Sequence, residues 1–254
     1  NIETAFWLES DRMLSLAFNE KSLDVQRKVV CEEFKEHYIN KPYGDVWQYV
    51  RELSYTQHPY RWMTIGKELS HIENATLDDV KAFFFKHYRP VNAVLCLAGD
   101  IYKDEAKRLS EKWFEPIPQG EKYNRPKFIE PKQTTPRRLC VEKEVPVSVI
   151  YKVYHMADRL DPSFYATDLI TEVLSGGQSS RLYQALVKEQ KLFSGIDCYH
   201  TNSVEQGLVI IEGKLLPTTK PEVGEAAIQQ ELMKIKENII DAKELEKVKN
   251  KVES

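Results

Sequence analysis

Residues 26–44 read Gln-Arg-Lys-Val-Val-Cys-Glu-Glu-Phe-Lys-Glu-His-Tyr-Ile-Asn-Lys-Pro-Tyr-Gly. The pattern is that of a helix ended by Asn40, Lys41 and Pro42, with Val29 and Val30 expected to be buried in its first half. Two adjacent carboxylates, Glu32 and Glu33, interrupt the apolar run. A carboxylate fixed on a rigid helix beside a core face is either a solvated surface acid or an oxygen donor to a metal, because charged side chains are seldom buried without a partner. Successive helical residues leave the axis about 100° apart, so the two acids face different directions. His37 follows Glu33 by four residues on the same face. Glu-x3-His could supply two ligands to one ion, and the plainer reading is a partly exposed histidine.

Outward from this helix the chain is mostly helical as far as residue 117. Residues 2–18 carry helical periodicity through Phe6, Trp7, Met13, Leu14 and Phe18, and Ser22 can cap the helix that bears Glu33. A helix is expected over Val46–Leu53, broken by His58-Pro59. Thr76-Leu77-Asp78-Asp79 opens another in the manner of a capping box, and Pro90 ends it. Val91–Ala98 is a nearly continuous apolar run, which predicts a buried strand, and Glu105–Phe114 a further helix.

Residues 115–139 hold Pro116, Pro118, Pro126, Pro131 and Pro136 without apolar periodicity and read as a linker. Strands are expected next at Leu139–Lys143 and Val147–Met156. Asp161-Pro162 starts a helix that stops at Gly176-Gly177, and Ser179 or Ser180 caps the next. Strands at Phe193–Thr201 and Leu208–Leu216 and a helix over Pro221–Ile239 complete an α+β pattern. Gly176-Gly177-Gln178 is a helix terminator rather than a phosphate loop, since no following lysine accompanies it. His58 and His155, flanked by aromatic residues, read as packing or capping groups.

The chain has 254 residues, 42% hydrophobic and 30% charged, enough for one large or two medium domains. A net charge of −3 leaves no footprint for nucleic acid. No run approaches the roughly 20 apolar residues that span a bilayer. The N-terminal residues lack the basic start of a signal peptide. Cys31, Cys96, Cys140 and Cys198 stand far apart without CxxC spacing, so they read as reduced core or half-buried thiols and not as a zinc site. That favours a reducing compartment, with the bacterial cytoplasm expected and the periplasm the alternative. The abrupt helical patterns at both ends suggest part of a longer chain.

Several short motifs, in order, then resemble the M16 peptidases, the zinc enzymes that include insulinases, pitrilysins and mitochondrial processing peptidases. They are Leu8-Glu9-Ser10-Asp11-Arg12-Met13, the Glu33 helix, His58-Pro59-Tyr60, Ile65-Gly66, Ala75-Thr76 with Asp79-Val80, Tyr88-Arg89-Pro90, Ala98-Gly99-Asp100 and Ser179-Ser180-Arg181-Leu182-Tyr183. The resemblance spans nearly the whole chain. It implies two-layer α/β domains of the M16 type: the end of a first domain at 1–117, a linker at 118–138 and the start of a homologous second domain at 139–254. A hydrolytic zinc takes three protein ligands and keeps one position for water. In the family an HxxEH motif supplies two histidines and the base, and a distant glutamate is the third ligand. None of the six histidines here falls in an HxxEH pattern. By position Glu33 is the distal ligand and Gln26, two turns earlier where the family often has glutamate, a supporting residue that can hydrogen-bond but brings no charge.

The resemblance therefore implies a zinc endopeptidase acting on oligopeptides, with this chain inactive by itself. The alternatives are a non-catalytic M16-like subunit that binds peptides or organises a complex, and an α+β interaction domain of similar architecture. Single-chain relatives also carry an arginine and a tyrosine that help hold the peptide carbonyl. Val187 and Ser194 occupy those positions here, which implies a second M16-like chain or a homodimer as partner.

Overall fold

The computed structural model describes residues 1–14 and 16–253. The helical readings that touch Ser15 and Ser254 lie outside the described residues. By compactness the chain forms two units: residues 1–40 with 64–128, and residues 41–63 with 129–254.

The first unit holds α1 (Ile2–Leu14), α2 (Glu20–Phe34), α4 (Leu69–Glu73), α5 (Leu77–His87) and α6 (Lys103–Phe114). Asn19, not Ser22, is the N-cap of α2. Its side chain accepts the Ser22 amide at 2.9 Å, and Ser22 completes the capping box from the third helical position. Thr76 and Asp79 make the expected reciprocal box at the start of α5. Phe6 against Phe114 and Phe18 against Phe84 are edge-on ring pairs within this unit. Lys112 bridges α6 to Glu3 of α1 at 2.6 Å.

Two expectations fail here. Val29 is 54% exposed, whereas Val30 is half-buried, because the stripe of α2 that turns inward runs through Arg27, Val30, Cys31 and Phe34 and leaves Val29 outside it. Residues 93–98 form no strand. They are extended but find no neighbouring strand among the described residues, and Val94 is 89% exposed. A strand is defined by its partner's hydrogen bonds, which an apolar run cannot supply to itself.

The second unit is built on a three-stranded antiparallel sheet of order β1-β3-β2, with β1 at Val149–Met156, β2 at Phe193–His200 and β3 at Gly207–Leu215. Register runs from Val149↔Lys214 to Met156↔Gly207 on one side of β3 and from Phe193↔Leu215 to His200↔Val209 on the other. The predicted strand at Leu139–Lys143 is absent, and Leu139 and Val141 are exposed. Alternate residues of β3 face opposite layers. Ile211 and Leu215 join Leu174 of α7 (Ser163–Ser175), Leu182, Leu186, Phe193, and Ala227 and Ile228 of α8 (Pro221–Glu237) in the larger core. Leu208 and Ile210 face the other way, onto Val50 of α3 (Val46–Ser54) and Tyr55. The sheet is thus covered on both faces, and the second cover comes from residues 41–63, far upstream in sequence. α9 (Ala242–Glu253) closes the described chain.

Candidate functional site

The side of α2 away from the core carries Val25, Gln26, Val29 and Glu33, all exposed. Gln26, Val29 and Glu33 recur at helical spacing and form one stripe. Glu32 and Glu33 part company as their 100° separation requires. Glu32 pairs with Lys35 at 2.8 Å, an ordinary surface ion pair. Glu33 makes no hydrogen bond or ion pair among the described residues. On the core side, Cys31 and Phe34 are buried, Arg27 donates to the Ala75 carbonyl at 2.7 Å, and Phe34 meets Tyr38 at 5.3 Å between ring centroids. These contacts fix the azimuth of α2 and therefore the direction of Glu33.

Immediately after Phe34 the helix widens into a π-helical turn, Lys35–Ile39. His37 lies inside this turn, where the regular α-helical spacing that would relate it to Glu33 is interrupted. His37 is exposed and its ring meets Tyr38 at 6.4 Å. Among the described residues no three His, Cys, Asp or Glu side chains come together in a way that could hold a metal ion. The donors present do not complete a zinc site.

In the second unit, Val187 sits in the π-helical segment Tyr183–Glu189 and is half-buried against the larger core. Ser194, the second residue of β2, is exposed, its Oγ donating to the Lys214 carbonyl at 3.2 Å. Neither can present a guanidinium or a phenol. Arg181 is engaged elsewhere: Nε and one terminal nitrogen bind the two Glu244 carboxylate oxygens at 3.0 and 2.5 Å, tying the Ser-Ser-Arg-Leu-Tyr segment to α9. Gly176 caps α7 as expected, its amide on the Glu172 carbonyl at 2.7 Å.

Sequence reasoning did not find Glu130. It is 6% exposed, and its carboxylate accepts the Thr56 amide and hydroxyl at 2.6 and 2.7 Å and the Gln57 and His58 amides at 2.9 Å each. Burial pushes its pKa upward, but the four hydrogen bonds outweigh that and hold it down to about 2. His58, 2% exposed, accepts the Tyr60 amide on Nδ1 at 3.1 Å and donates from Nε2 to Glu205 at 2.5 Å. His155 meets the Ser54 carbonyl at 2.8 Å. The reading of both histidines as packing or capping groups is correct, His58 capping the Pro59–Arg61 turn and His155 lying against the Tyr55 ring, and nothing in the linker's composition singles out Glu130, since Glu115 also precedes a proline and Glu121 is a further acid there.

The thiols divide evenly. Cys31 and Cys198 are buried, whereas Cys96 and Cys140 are exposed rather than half-buried, and all four are free. Burial pushes the Cys198 thiol up to about 12, which leaves it inert.

Known proteins bear on this arrangement in three ways. The chain is 29% identical over 252 residues to a zinc protease, PqqE, of Helicobacter pylori, covering 98% of this chain and 56% of that protein. It is 24% identical to an uncharacterized zinc protease, YmxG, of Bacillus subtilis, covering 96% of this chain and 58% of that one. The crystal structure of a protease from Helicobacter pylori superposes with a TM-score of 0.91 at 28% identity, over all of this chain and 62% of that one. A peptidase M16 inactive domain from Pseudomonas fluorescens superposes at 0.83 with 22% identity, covering 98% of this chain and 60% of that one, which supports the fold alone. The chain thus spans about 60% of the length of these relatives. The profile described as "Peptidase M16 inactive domain" matches residues 74–252, and with the sheet, α7, α8 and the Arg181 segment all inside that match, the chain belongs to the peptidase M16 inactive-domain family.

Proposed function

We propose that this chain is part of an M16-type zinc endopeptidase that hydrolyses oligopeptides, and that it contributes Glu33 as one oxygen ligand while remaining inactive alone. The single observation that carries this is the contrast on α2. Glu32 is paired with Lys35, whereas Glu33 stands exposed, without a partner among the described residues, on the stripe it shares with Gln26 and Val29. Zinc would act there as a Lewis acid and a source of activated water. What these residues do is aim one carboxylate from a rigid, core-anchored helix, with the Gln26 amide two turns away on the same face. The remaining ligands and the base would come from the portion of the parent that this chain does not span. The domain limits proposed for the parent are 1–117, 118–138 and 139–254, and four unpaired thiols suit a reducing cytoplasm.

Val187 and Ser194 favour a second feature, a divided site. With Arg181 committed to Glu244, this chain offers no free arginine at that segment to a developing oxyanion, so an arginine and a tyrosine would be supplied by a second M16-like chain. The same observation supports the rival reading of a non-catalytic, peptide-binding subunit. Assaying the full-length parent on a quenched peptide library, alone and with candidate M16-like chains, separates them. Chelator-sensitive cleavage that rises at least about 100-fold with a partner is expected, the size of one oxyanion donor's effect. Rapid cleavage by the lone chain that no partner improves contradicts the divided site, and no cleavage in any pairing supports the binding subunit.

A further inference from the structure

Along β3 the positions that face α3 are Leu208, Ile210 and then Glu212. The first two are buried, but the third is a carboxylate whose side chain keeps 22% exposure. The strand register sets Tyr151 of β1 directly opposite Glu212 on one side and Asp197 of β2 directly opposite it on the other. Directly opposed residues point to the same face, so Glu212 stands in one row between a phenol and a second acid. Tyr199, two residues further along β2, reaches diagonally and donates to Glu212 Oε2 at 3.2 Å. The Tyr151 hydroxyl bonds the same side chain. Burial pushes the pKa of both phenols upward, so they act as neutral donors. Trp47 of α3 packs on the Tyr199 ring at 6.3 Å between centroids.

Charge in this row is left unbalanced. Like charges directly opposite one another on neighbouring strands are destabilising. Asp197 is exposed and makes no hydrogen bond or ion pair among the described residues. The ion pair of Glu212 is with Lys214, two positions along the same strand, at 4.0 Å and with a side chain 53% exposed, so it contributes little. The Arg51 guanidinium lies over Trp47 at 5.9 Å and donates to the Tyr60 carbonyl, not to either acid. Two phenols supply hydrogen bonds but no positive charge. Carboxylates bordered by tyrosine rings are the chemistry that receives an organic cation, the ring faces attracting it and the acids supplying the countercharge. We propose that Tyr151, Tyr199, Glu212 and Asp197 form a binding site for an alkylammonium group, carried by a lysine side chain or by the free N-terminus of a peptide. All four residues belong to the second unit. The site goes beyond the proposed function and needs neither zinc nor Glu33.

The experiment titrates the full-length parent, with a chelator present throughout, against three probes followed by saturation-transfer NMR. Nα-acetyl-lysine methylamide carries only a side-chain ammonium, trialanine amide only an N-terminal one, and Nα-acetyl-norleucine methylamide is the neutral counterpart of the first. At least one ammonium probe should bind about 10-fold or more tightly than the neutral one, and the tighter of the two identifies the source of the group. Glu212→Gln should weaken that binding at least about 10-fold, and Tyr199→Leu, which removes a ring, at least about 3-fold. Circular dichroism monitors the fold of each variant. Asp197→Asn, at an exposed position, repeats the charge test should Glu212→Gln not fold, with a loss of at least about 3-fold expected. A neutral probe that binds as tightly as both ammonium probes, no binding of either ammonium, or unchanged affinity in the folded charge variants overturns the inference. Because the chelator is always present, a parent that holds no zinc in separate metal analysis yet binds ammonium defeats the proposed function alone. A parent that holds zinc but shows no ammonium preference defeats this inference alone.

Discussion

The Glu130 carboxylate, buried to 6% exposure, gathers three consecutive backbone amides and a hydroxyl. Its folded pKa near 2 lies below the ordinary 4.5. Its stabilisation is therefore complete above about pH 4.5 and is lost as the pH falls toward 2, and at neutral pH it amounts to about 3 kcal/mol. Glu130→Gln should lower the unfolding free energy at neutral pH by roughly 2–3 kcal/mol, since an amide nitrogen would confront backbone donors. The gap to wild type should narrow below pH 4.5. Urea denaturation followed by tryptophan fluorescence across that range checks this, and a gap that is constant with pH would show that the carboxylate charge is irrelevant.

Among the elements, β3 is the hub, and its packing tolerates little added volume. A Cβ at Gly213 would lie 2.5 Å from the Phe193 ring, and one at Gly224 of α8 would lie 2.6 Å from Leu215. Gly213→Ala should destabilise the protein by about 1–3 kcal/mol, readable as a lower midpoint in thermal melting. Arg181→Met should detach α9, because it removes a bidentate pair of which both members are about three quarters buried. Faster amide exchange confined to Ala242–Glu253, with the sheet unaffected, is the expected result. Local chemistry made much of this legible in the sequence. The Thr76–Asp79 box, the break at Asp161-Pro162, the stop at Gly176 and the helix after Pro221 all act within a few residues of themselves. What failed to read depends on distant partners. The donors to Glu130 lie more than seventy positions away. The facing of Val29 is set by α2 packing on α4, and residues 93–98 need a neighbour to become a strand. Residues 41–63 cover the β1-β3-β2 sheet although nothing in their composition names it.

For the molecule as a whole, sequence likeness and geometry address different parts of the proposed activity. Membership of the M16 inactive-domain family accounts for the architecture, whereas the proposed zinc chemistry rests on the direction in which α2 presents Glu33. The 254-residue chain should accordingly bind zinc weakly and without defined stoichiometry, since one carboxylate is far from the three or four ligands of a protein zinc site. The most direct measurement is the zinc content, by elemental analysis, of the purified full-length parent, its Glu33→Gln variant and its Glu32→Gln variant. The account predicts one zinc per wild-type chain, near-complete loss in Glu33→Gln with circular dichroism unchanged, and full retention in Glu32→Gln. Equal retention, or equal loss, in the two variants would contradict the assignment of Glu33 as the ligand that α2 presents.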